Sequence, residues 1–211
     1  MAQGIYKVTE DFEAEICRYT GAPYCVAVDN ASNAIFLSLM YEGVKGKEIS
    51  IPCRTYPSVP CEIIHAGAKV KFEPVEGETL TGAYLLKGSK TVDSALRFTY
   101  RMYDDFKGLL VCLSFTGGYK HLKLSKAGAI LTDDIDACTW LKRARFSGRR
   151  ELPYRYDNLD MLGWNFTLMP EIAARGLLLM TQFYDFNGEP ISNEDKTLPY
   201  PDLSKFNIYT Q

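Results

Sequence analysis

Short apolar runs alternate along this chain with longer segments in which apolar residues recur at helical spacing. The helices predicted from that spacing are residues 12–19, 32–41, 58–65 and 169–183. The predicted strands are residues 24–28, 48–51, 69–72, 91–92, 108–113 and 128–132. Alternation of strands and helices is typical of βα units, so the pattern predicts an α/β protein built around a sheet.

Several of these elements have recognisable ends. Gly43 and Gly67 follow the second and third predicted helices, where glycine commonly ends a helix. Asp133 and Asp134 supply carboxylates for the start of a further helix through residue 144, because the positive N-terminal end of a helix dipole favours them. Pro170 is acceptable in the first turn of the last helix.

Two regions lack a clear period. Residues 74–90 are rich in Gly and Thr and too broken for a full helix, and the tail from residue 187 is rich in polar, Pro and Gly residues. A chain of 211 residues suits one fairly large domain with a trailing extension. We predict a large domain over residues 1–183 and an irregular C-terminal extension over residues 184–211.

Composition narrows the classes of function. Hydrophobic residues make up 46% and the formal net charge is −2, which is ordinary for a globular protein and offers no general attraction for nucleic acid. The N-terminus lacks a basic and then apolar leader, and runs such as residues 176–180 are too short to span a bilayer. The six cysteines form no Cys-x-x-Cys pair, which argues against a metal site and favours a cytoplasmic location, although their even number leaves disulfides open.

The first predicted strand ends in a turn that opens a helix. Residues 26–34 place Ala31 and Ser32 at that helix start. Free backbone N–H groups at a helix N-terminus, with a hydroxyl beside them, form a site for a phosphate dianion. The alternative is that Ser32 only caps the helix.

Two further strands are followed by residues that suit a flat ring. Tyr56 ends the stretch Pro-Cys-Arg-Thr-Tyr, and an aromatic face supports an electron-poor heterocycle by about 1 kcal/mol. Asp93 stands in Thr-Val-Asp-Ser-Ala, at the end of a strand. Taken alone, a tyrosine among 14 is ordinarily a packing residue, and an aspartate after a strand is ordinarily a turn residue.

The fourth segment runs from residue 113 to 120 as Leu-Ser-Phe-Thr-Gly-Gly-Tyr-Lys and continues at residues 127–134. A glycine-containing loop delivers Lys120 just after an apolar strand, whereas a lysine is usually solvated. Lys123 and Lys126 are nearby rivals for any role of Lys120.

Taken in order, these four segments resemble the DegT/DnrJ/EryC1/StrS-type sugar aminotransferases, which are fold-type-I pyridoxal-phosphate enzymes acting on nucleotide-linked keto-sugars. The resemblance extends over about residues 10–180. It implies a three-layer α/β/α sandwich with a mostly parallel central sheet and a reduced or missing small C-terminal domain.

The resemblance also implies roles for individual residues. Lys120 would form a Schiff base with pyridoxal 5′-phosphate and then act as general base and acid. Asp93 would keep the pyridine nitrogen protonated, which makes the ring an electron sink, and Tyr56 would stack on the ring. The cofactor-binding residues implied in this way are Ala31, Ser32, Tyr56, Asp93, Ser114, Lys120 and Asn165.

Asn165 implies a partner subunit. Residues 162–166, Leu-Gly-Trp-Asn-Phe, are similar to a family segment in which the Asn reaches the cofactor phosphate of the other subunit. The resemblance therefore implies a homodimer with shared sites. As a lone residue, Asn165 would be a turn former.

The chain also departs from the family. Leu96 stands where a polar residue is usual, Thr167 replaces an Arg, and residues 125–127 replace a Gly-Glu-Gly stretch. A βα unit between residues 72 and 91 is expected to be missing. Because of these departures, the resemblance does not define which residues form the substrate pocket.

The function implied by the resemblance is amino transfer from an amino-acid donor, glutamate in this family, to a keto-sugar or similar small carbonyl compound. The alternative is a catalytically reduced pyridoxal-phosphate-binding or scaffold protein. A basic cluster at residues 142–150 suggests nucleic-acid binding as another function. Clustered charge on a helix is usually a solvated face, however, and the chain is net acidic. We expect no nucleic-acid or membrane partner and assign no role to His65 or His121.

Overall fold

The computed structural model describes residues 6–209, so the first five residues of the predicted large domain and the last two of the predicted extension lie outside the described part. The α-helices are α1 (Lys7–Thr20), α2 (Ala31–Glu42), α3 (Ser58–His65), α4 (Ile135–Ala144) and α5 (Pro170–Met180). The strands are β1 (Tyr24–Val28), β2 (Glu48–Pro52), β3 (Lys69–Glu73), β4 (Thr79–Thr81), β5 (Tyr84–Leu85), β6 (Thr91–Ser94), β7 (Leu110–Ser114), β8 (Gly128–Thr132) and β9 (Thr197–Pro199).

The predicted helices and strands are all present, with differences at their ends. The first helix begins at Lys7, five residues before the predicted start. Gly21 and Gly43, with φ of 78° and 60°, end α1 and α2 in the left-handed conformation that glycine adopts without strain. Of the two aspartates before α4, Asp134 is the cap, because its side chain accepts hydrogen bonds from two backbone N–H groups of the first turn.

The central sheet has five hydrogen-bonded strands in the order β1-β8-β7-β6-β5, and β2 and β3 form a parallel pair beside it. Two backbone hydrogen bonds between Ser50 and Lys87, of 2.9 and 3.0 Å, join β2 to the chain just after β5. Strands β1, β2, β3, β6 and β7 therefore run in one direction, and β5 and β8 run in the other.

The predicted α/β class is confirmed, but the central sheet is mixed rather than mostly parallel. Within the five-stranded sheet, β6 and β7 are the parallel pair. No helix lies between Ser114 and Gly128, so the chain reverses there and β8 pairs antiparallel with β7. A parallel pairing would need a crossover connection, which is usually a helix.

The chain is shortened between β3 and β6, as the sequence predicted. This stretch contains β4 and β5 but no helix. The backbone of residues 84–87 fills the position between β6 and β2 instead, running antiparallel to β6. A short antiparallel segment thus replaces a complete βα unit.

Apolar side chains form one cluster on each face of the sheet. Neighbouring residues of a strand point to opposite faces, and accordingly Val111 and Leu113 belong to the cluster under α1 and α5, while Leu110 and Cys112 belong to the cluster under α2, α3 and α4. Both faces of the sheet are therefore covered by helices, which gives the three layers.

A buried ion pair ties α1 to α4 and β1. Glu13 and Arg145 are 4% and 3% exposed, and the Arg145 guanidinium donates to the Glu13 carboxylate and to the carbonyl oxygen of Ala27. The backbone N–H of Ala27 donates to the same carboxylate at 2.9 Å. Both charges are therefore compensated inside the protein.

Replacing Arg145 with methionine is expected to lower the free energy of unfolding by about 3 kcal/mol, because Glu13 would lose its buried cation and keep only the partly exposed Lys142, whose amine lies 3.3 Å from its carboxylate. Urea unfolding measures the change. The control is Lys71→Met, which removes an exposed pair with Glu48 at 3.3 Å and should cost under about 1 kcal/mol. Equal effects of the two substitutions would contradict the importance of the buried pair.

The C-terminal residues pack against the large domain. Strand β9 pairs with β4, and the backbone N–H groups of Lys196 and Leu203 donate to the carbonyl oxygens of Leu96 and Cys53 at 2.8 and 2.7 Å. Within residues 6–209, no helix has both the length and the apolar character needed to cross a bilayer.

Candidate active site

A cavity of about 520 Å³ lies where β1, β6 and β7 end. Carboxyl ends of strands that run in one direction meet at one edge of a sheet, which is where α/β proteins commonly bind ligands. The residues that line it are Asn30, Ala31, Ser32, Ile35, Tyr56, Ser58, Val59, Asp93, Ala95, Ser114, Thr116, Lys120, Ser125 and Lys126. Six of the seven predicted site residues are among them, and Asn165 is the exception.

The start of α2 forms one wall of this cavity. The side chain of Asn30 accepts a hydrogen bond from the backbone N–H of Asn33 at 2.9 Å, so Asn30 is the helix cap. Ser32 is therefore not the cap, and its hydroxyl lies 2.6 Å from the hydroxyl of Ser58. A pair of hydroxyls and the positive end of a helix dipole together favour an anion at this wall.

Gly128 allows β8 to approach this turn. A Cβ atom on Gly128 would lie 2.6 Å from the carbonyl carbon of Asn30 and 2.7 Å from the nitrogen of Ala31. Both are backbone atoms that cannot move aside, so a larger residue here would displace the start of α2. The lack of a side chain at Gly128 therefore allows β8 and the start of α2 to lie close together.

Lys120 enters the cavity from the loop after β7. It is partly buried, and its Nζ donates to the carbonyl oxygen of Ala95 at 2.9 Å. Burial lowers the pKa of the Lys120 amine from its ordinary value, while the nearby Asp93 carboxylate acts in the opposite direction. Because the effect of burial is the larger one, the neutral amine is accessible at lower pH than for a solvated lysine.

The two rival lysines differ from Lys120. Lys123 is exposed and does not line the cavity, whereas Lys126 lines it and forms an ion pair with Asp29 at 3.2 Å. Of the three, Lys120 is the one whose amine lies within electrostatic reach of Asp93.

Asp93 is 4% exposed and is held by hydrogen bonds to both carboxylate oxygens. The backbone N–H of Ala95 donates to Oδ1 at 2.9 Å, and the hydroxyl of Tyr84 donates to Oδ2 at 2.9 Å. Burial raises the pKa of Asp93, and these hydrogen bonds together with Lys120 oppose that rise. The predicted carboxylate and the predicted amine thus face the same cavity.

Tyr56 lies at the mouth of the cavity. Its side chain is 57% exposed, and its ring packs edge-on against Tyr200 with centroids 6.5 Å apart. Arg54 holds that neighbour, because its guanidinium donates to the carbonyl oxygen of Tyr200 at 2.8 Å. The C-terminal segment therefore reaches the predicted ring-stacking residue.

Sequence reasoning missed several lining and supporting residues. Ser58 begins a helix two residues after Tyr56, and that position could have indicated it. Tyr84 and Tyr200 come from the two regions without a clear period, which gave no signal for either. The missed residues that line the cavity and have side-chain hydroxyl or amide groups are Asn30, Ser58, Thr116 and Ser125.

Asn165 lies outside the cavity of its own chain. It is exposed, forms an isolated bridge with Phe146, and accepts a long hydrogen bond of 3.4 Å from the hydroxyl of Thr167. Its predicted contact with the cofactor of a partner subunit stays a prediction.

The basic cluster is largely paired with acidic residues. Lys142 and Arg145 contact Glu13, and Arg143 forms an ion pair with Asp160. Arg149 lies 3.6 Å from a carboxylate oxygen of Asp157 and over the ring of Tyr154. Because these cations serve internal ion pairs, the cluster gives no support to nucleic-acid binding.

Neither histidine faces the cavity. His65 lies beside Glu62 at 3.1 Å on α3, and His121 contacts the carbonyl oxygen of Glu194 at 2.7 Å. Burial is the main reason that the pKa of His121 is lowered. These contacts fit structural roles.

The chain is similar in sequence to known proteins. Residues 2–83 match the model of the DegT/DnrJ/EryC1/StrS aminotransferase family. The chain is 25% identical, over an alignment of 183 residues, to the dTDP-3-amino-3,4,6-trideoxy-alpha-D-glucose transaminase of Micromonospora megalomicea, covering 69% of this chain and 49% of that one. It is 35% identical over 72 residues to the spore coat polysaccharide biosynthesis protein SpsC of Bacillus subtilis, which is 34% of this chain and 18% of that protein.

Solved structures show the same fold. A protein described as a PLP-dependent aminotransferase from Bacillus cereus superposes with a TM-score of 0.71 at 18% identity, covering 84% of this chain and 59% of the other. The chain thus spans at most about half the length of these curated relatives and about three fifths of that structure. The resemblance to the DegT/DnrJ/EryC1/StrS aminotransferases is confirmed in sequence over residues 2–83, and the fold is that of a solved PLP-dependent aminotransferase.

Proposed function

We propose that this chain binds pyridoxal 5′-phosphate and transfers an amino group from an amino-acid donor, glutamate in the first instance, to a keto-sugar or similar small carbonyl substrate. One observation carries the proposal. The amine of Lys120, the buried carboxylate of Asp93 and the start of α2 line a single cavity, although they come from segments far apart in the chain.

The groups in the cavity match the parts of this cofactor. The first turn of α2, with the hydroxyls of Ser32 and Ser114, suits a phosphate dianion. The ring of Tyr56 suits the face of a pyridine, and the Asp93 carboxylate suits a protonated ring nitrogen. A cavity of about 520 Å³ is within the range for a small-molecule site.

When bound, pyridoxal phosphate supplies an electron sink for charge that develops on the substrate carbon. Lys120 would hold the cofactor through Nζ, and this amine would serve as the base and acid that moves a proton on the substrate. Its lowered pKa favours the neutral amine needed for both tasks. Asp93 would pair with the protonated ring nitrogen and stabilise its positive charge.

We also propose that the chain acts as a homodimer. Apolar side chains are exposed along the segment before α5, with Leu162 91% and Leu159 59% exposed. Asn165 lies in the same segment and outside its own cavity, as a residue serving a second copy would.

The six cysteines are free thiols, which favours a reducing compartment such as the cytoplasm.

A second candidate function is a reduced pyridoxal-phosphate-binding or scaffold protein. Two observations favour it. The chain has no helix between β3 and β6, and Leu96, which stands where the family has a polar residue, is 2% exposed. Such a protein would bind the cofactor without turning over an amino donor.

Borohydride reduction with added pyridoxal phosphate, followed by peptide mass spectrometry, tests the proposal. We expect one pyridoxyl adduct, on Lys120, because burial and Asp93 distinguish this amine from the exposed Lys123. An adduct on Lys123 or Lys126 would contradict the assignment. Addition of glutamate before reduction separates the two functions, since loss of the adduct and a changed visible spectrum support amino transfer and an unchanged adduct supports the scaffold.

A further inference from the structure

Asp93 has a hydrogen-bond partner that comes from the shortened part of the chain. Tyr84 lies on β5, directly opposite Asp93 on β6 in the antiparallel register. Its hydroxyl donates to Oδ2 of Asp93 at 2.9 Å. The segment that replaces a βα unit thus provides the group that contacts the candidate cofactor carboxylate.

A third residue extends this hydrogen bond into a chain of three groups. The hydroxyl of Thr55, which is fully buried, lies 2.6 Å from the hydroxyl of Tyr84. A tyrosine hydroxyl has one hydrogen. Because that hydrogen is used toward the ionised Asp93, the Thr55 hydroxyl donates to the Tyr84 oxygen, and the three groups form a chain from Thr55 through Tyr84 to Asp93.

We propose that Tyr84 is a positioning residue for Asp93: its hydroxyl, itself held by Thr55, orients the carboxylate toward the cavity and keeps it ionised. This inference rests on the proposed function in one respect, since the ionised carboxylate is needed to pair with a protonated ring nitrogen. Each carboxylate oxygen accepts one protein hydrogen bond, from Tyr84 or from Ala95. Each therefore retains acceptor capacity for a ligand.

The charge balance around Asp93 explains why such a donor matters. Burial alone raises the pKa of this carboxyl, and a hydrogen bond to the charged form opposes that rise. The titratable groups that face Asp93 from the surrounding elements are Tyr84 on β5, Cys112 on β7, Lys120 in the loop after β7 and Tyr200 in the C-terminal segment. Of these four, Tyr84 has a hydrogen bond to the carboxylate, and Lys120 is the cation.

The test titrates Asp93 directly in the full chain without cofactor. Aspartate labelled with ¹³C at the carboxyl carbon gives a signal for each aspartate, and Asp93→Asn identifies the one from Asp93. In Tyr84→Phe we expect the Asp93 midpoint to move to higher pH by about one unit, because a hydrogen bond to a charged group is lost. Thr55→Val is expected to move it in the same direction by less.

The matched control is Tyr41→Phe. Tyr41 also donates to an aspartate, Asp134, at 3.1 Å, but it lies near the far end of α2 from the cavity. This control should leave the Asp93 midpoint unchanged. An Asp93 midpoint in Tyr84→Phe equal to that of the wild type, or an equal rise in Tyr41→Phe, would overturn the proposal.

A second readout uses pyridoxal phosphate labelled with ¹⁵N in the ring. We expect the ring nitrogen to lose its proton at lower pH when bound to Tyr84→Phe than when bound to the wild type, while the borohydride adduct on Lys120 persists. If the wild type does not bind pyridoxal phosphate, the proposed function fails and the ¹³C titration still decides the role of Tyr84. If the cofactor binds and neither titration changes, the role of Tyr84 fails and the proposed function stands.

Discussion

Replacing Lys120 with alanine is expected to abolish covalent retention of pyridoxal phosphate and to lower the rate of amino transfer by about 10²–10⁴-fold, the range for loss of a general acid–base. Lys120 and Lys126 both line the cavity that contains Asp93, and of these two amines Lys120 has the pKa that burial lowers. The start of α2 and Asp93 are unchanged in this variant. Noncovalent binding of the cofactor should therefore persist, which equilibrium dialysis can measure.

Two further variants make this result specific. Lys123→Ala removes an exposed amine three residues away and should retain both the adduct and the rate. Lys120→Arg keeps a positive charge, but a guanidinium stays protonated and cannot attack the aldehyde carbon, so this variant should behave like Lys120→Ala. If Lys120→Ala retains the cofactor covalently to the same extent as the wild type, the assignment of Lys120 is refuted.

Replacing Asp93 with asparagine is expected to lower the rate of amino transfer by about 10²–10³-fold, the cost of removing one preorganised electrostatic partner. Asparagine keeps the shape of the side chain, and its amide oxygen can still accept the hydrogen bond from Tyr84. A neutral amide cannot stabilise a protonated ring nitrogen, however. The expected outcome is a protein that still forms the Lys120 adduct but reacts slowly with glutamate.

Single-turnover absorbance changes after addition of glutamate measure this rate. The matched control is Asp104→Asn, which neutralises an aspartate paired with Arg101 on the surface. That substitution should leave the rate unchanged. If Asp93→Asn reacts with glutamate as fast as Asp104→Asn, the carboxylate has no role in the chemistry.

The C-terminal segment contacts the sheet edge that contains the cavity. Arg97, four residues after Asp93, forms a two-pronged ion pair with Asp195, with distances of 2.9 and 2.7 Å. The same segment places Tyr200 against Tyr56. In this way residues 194–203 lie at the edge of the sheet that contains the cavity.

The local pattern of the sequence was sufficient to predict most elements, and the resemblance of four motifs to a known family predicted six residues that line the cavity. Strands such as β1 and β8 are short apolar runs, and the helices between them have apolar residues at helical spacing, so the period alone distinguishes them. Site residues were predictable where they lie at the carboxyl end of a strand, as Asp93 and Ser114 do. For these residues, sequence position and spatial position coincide because strand ends meet at one sheet edge.

Contacts between distant segments were not predictable in this way. Tyr84 and Tyr200 lie in stretches without periodicity, and their places depend on partners elsewhere in the chain. The cap of α2 is Asn30 rather than Ser32, a choice between residues two positions apart that the backbone geometry of the turn decides. The mixed direction of the sheet likewise depends on how β5 and β8 pair.

The sequence by itself determined the order of strands and helices, the two-faced burial of the sheet and the residues at the strand ends, because each depends on neighbours in the chain. Only the tertiary structure decided that β5 inserts antiparallel beside β6, that Tyr84 donates to Asp93, and that the C-terminal segment reaches Tyr56. These features depend on hydrogen bonds and packing between residues far apart in sequence, and a local pattern contains no information about such pairs.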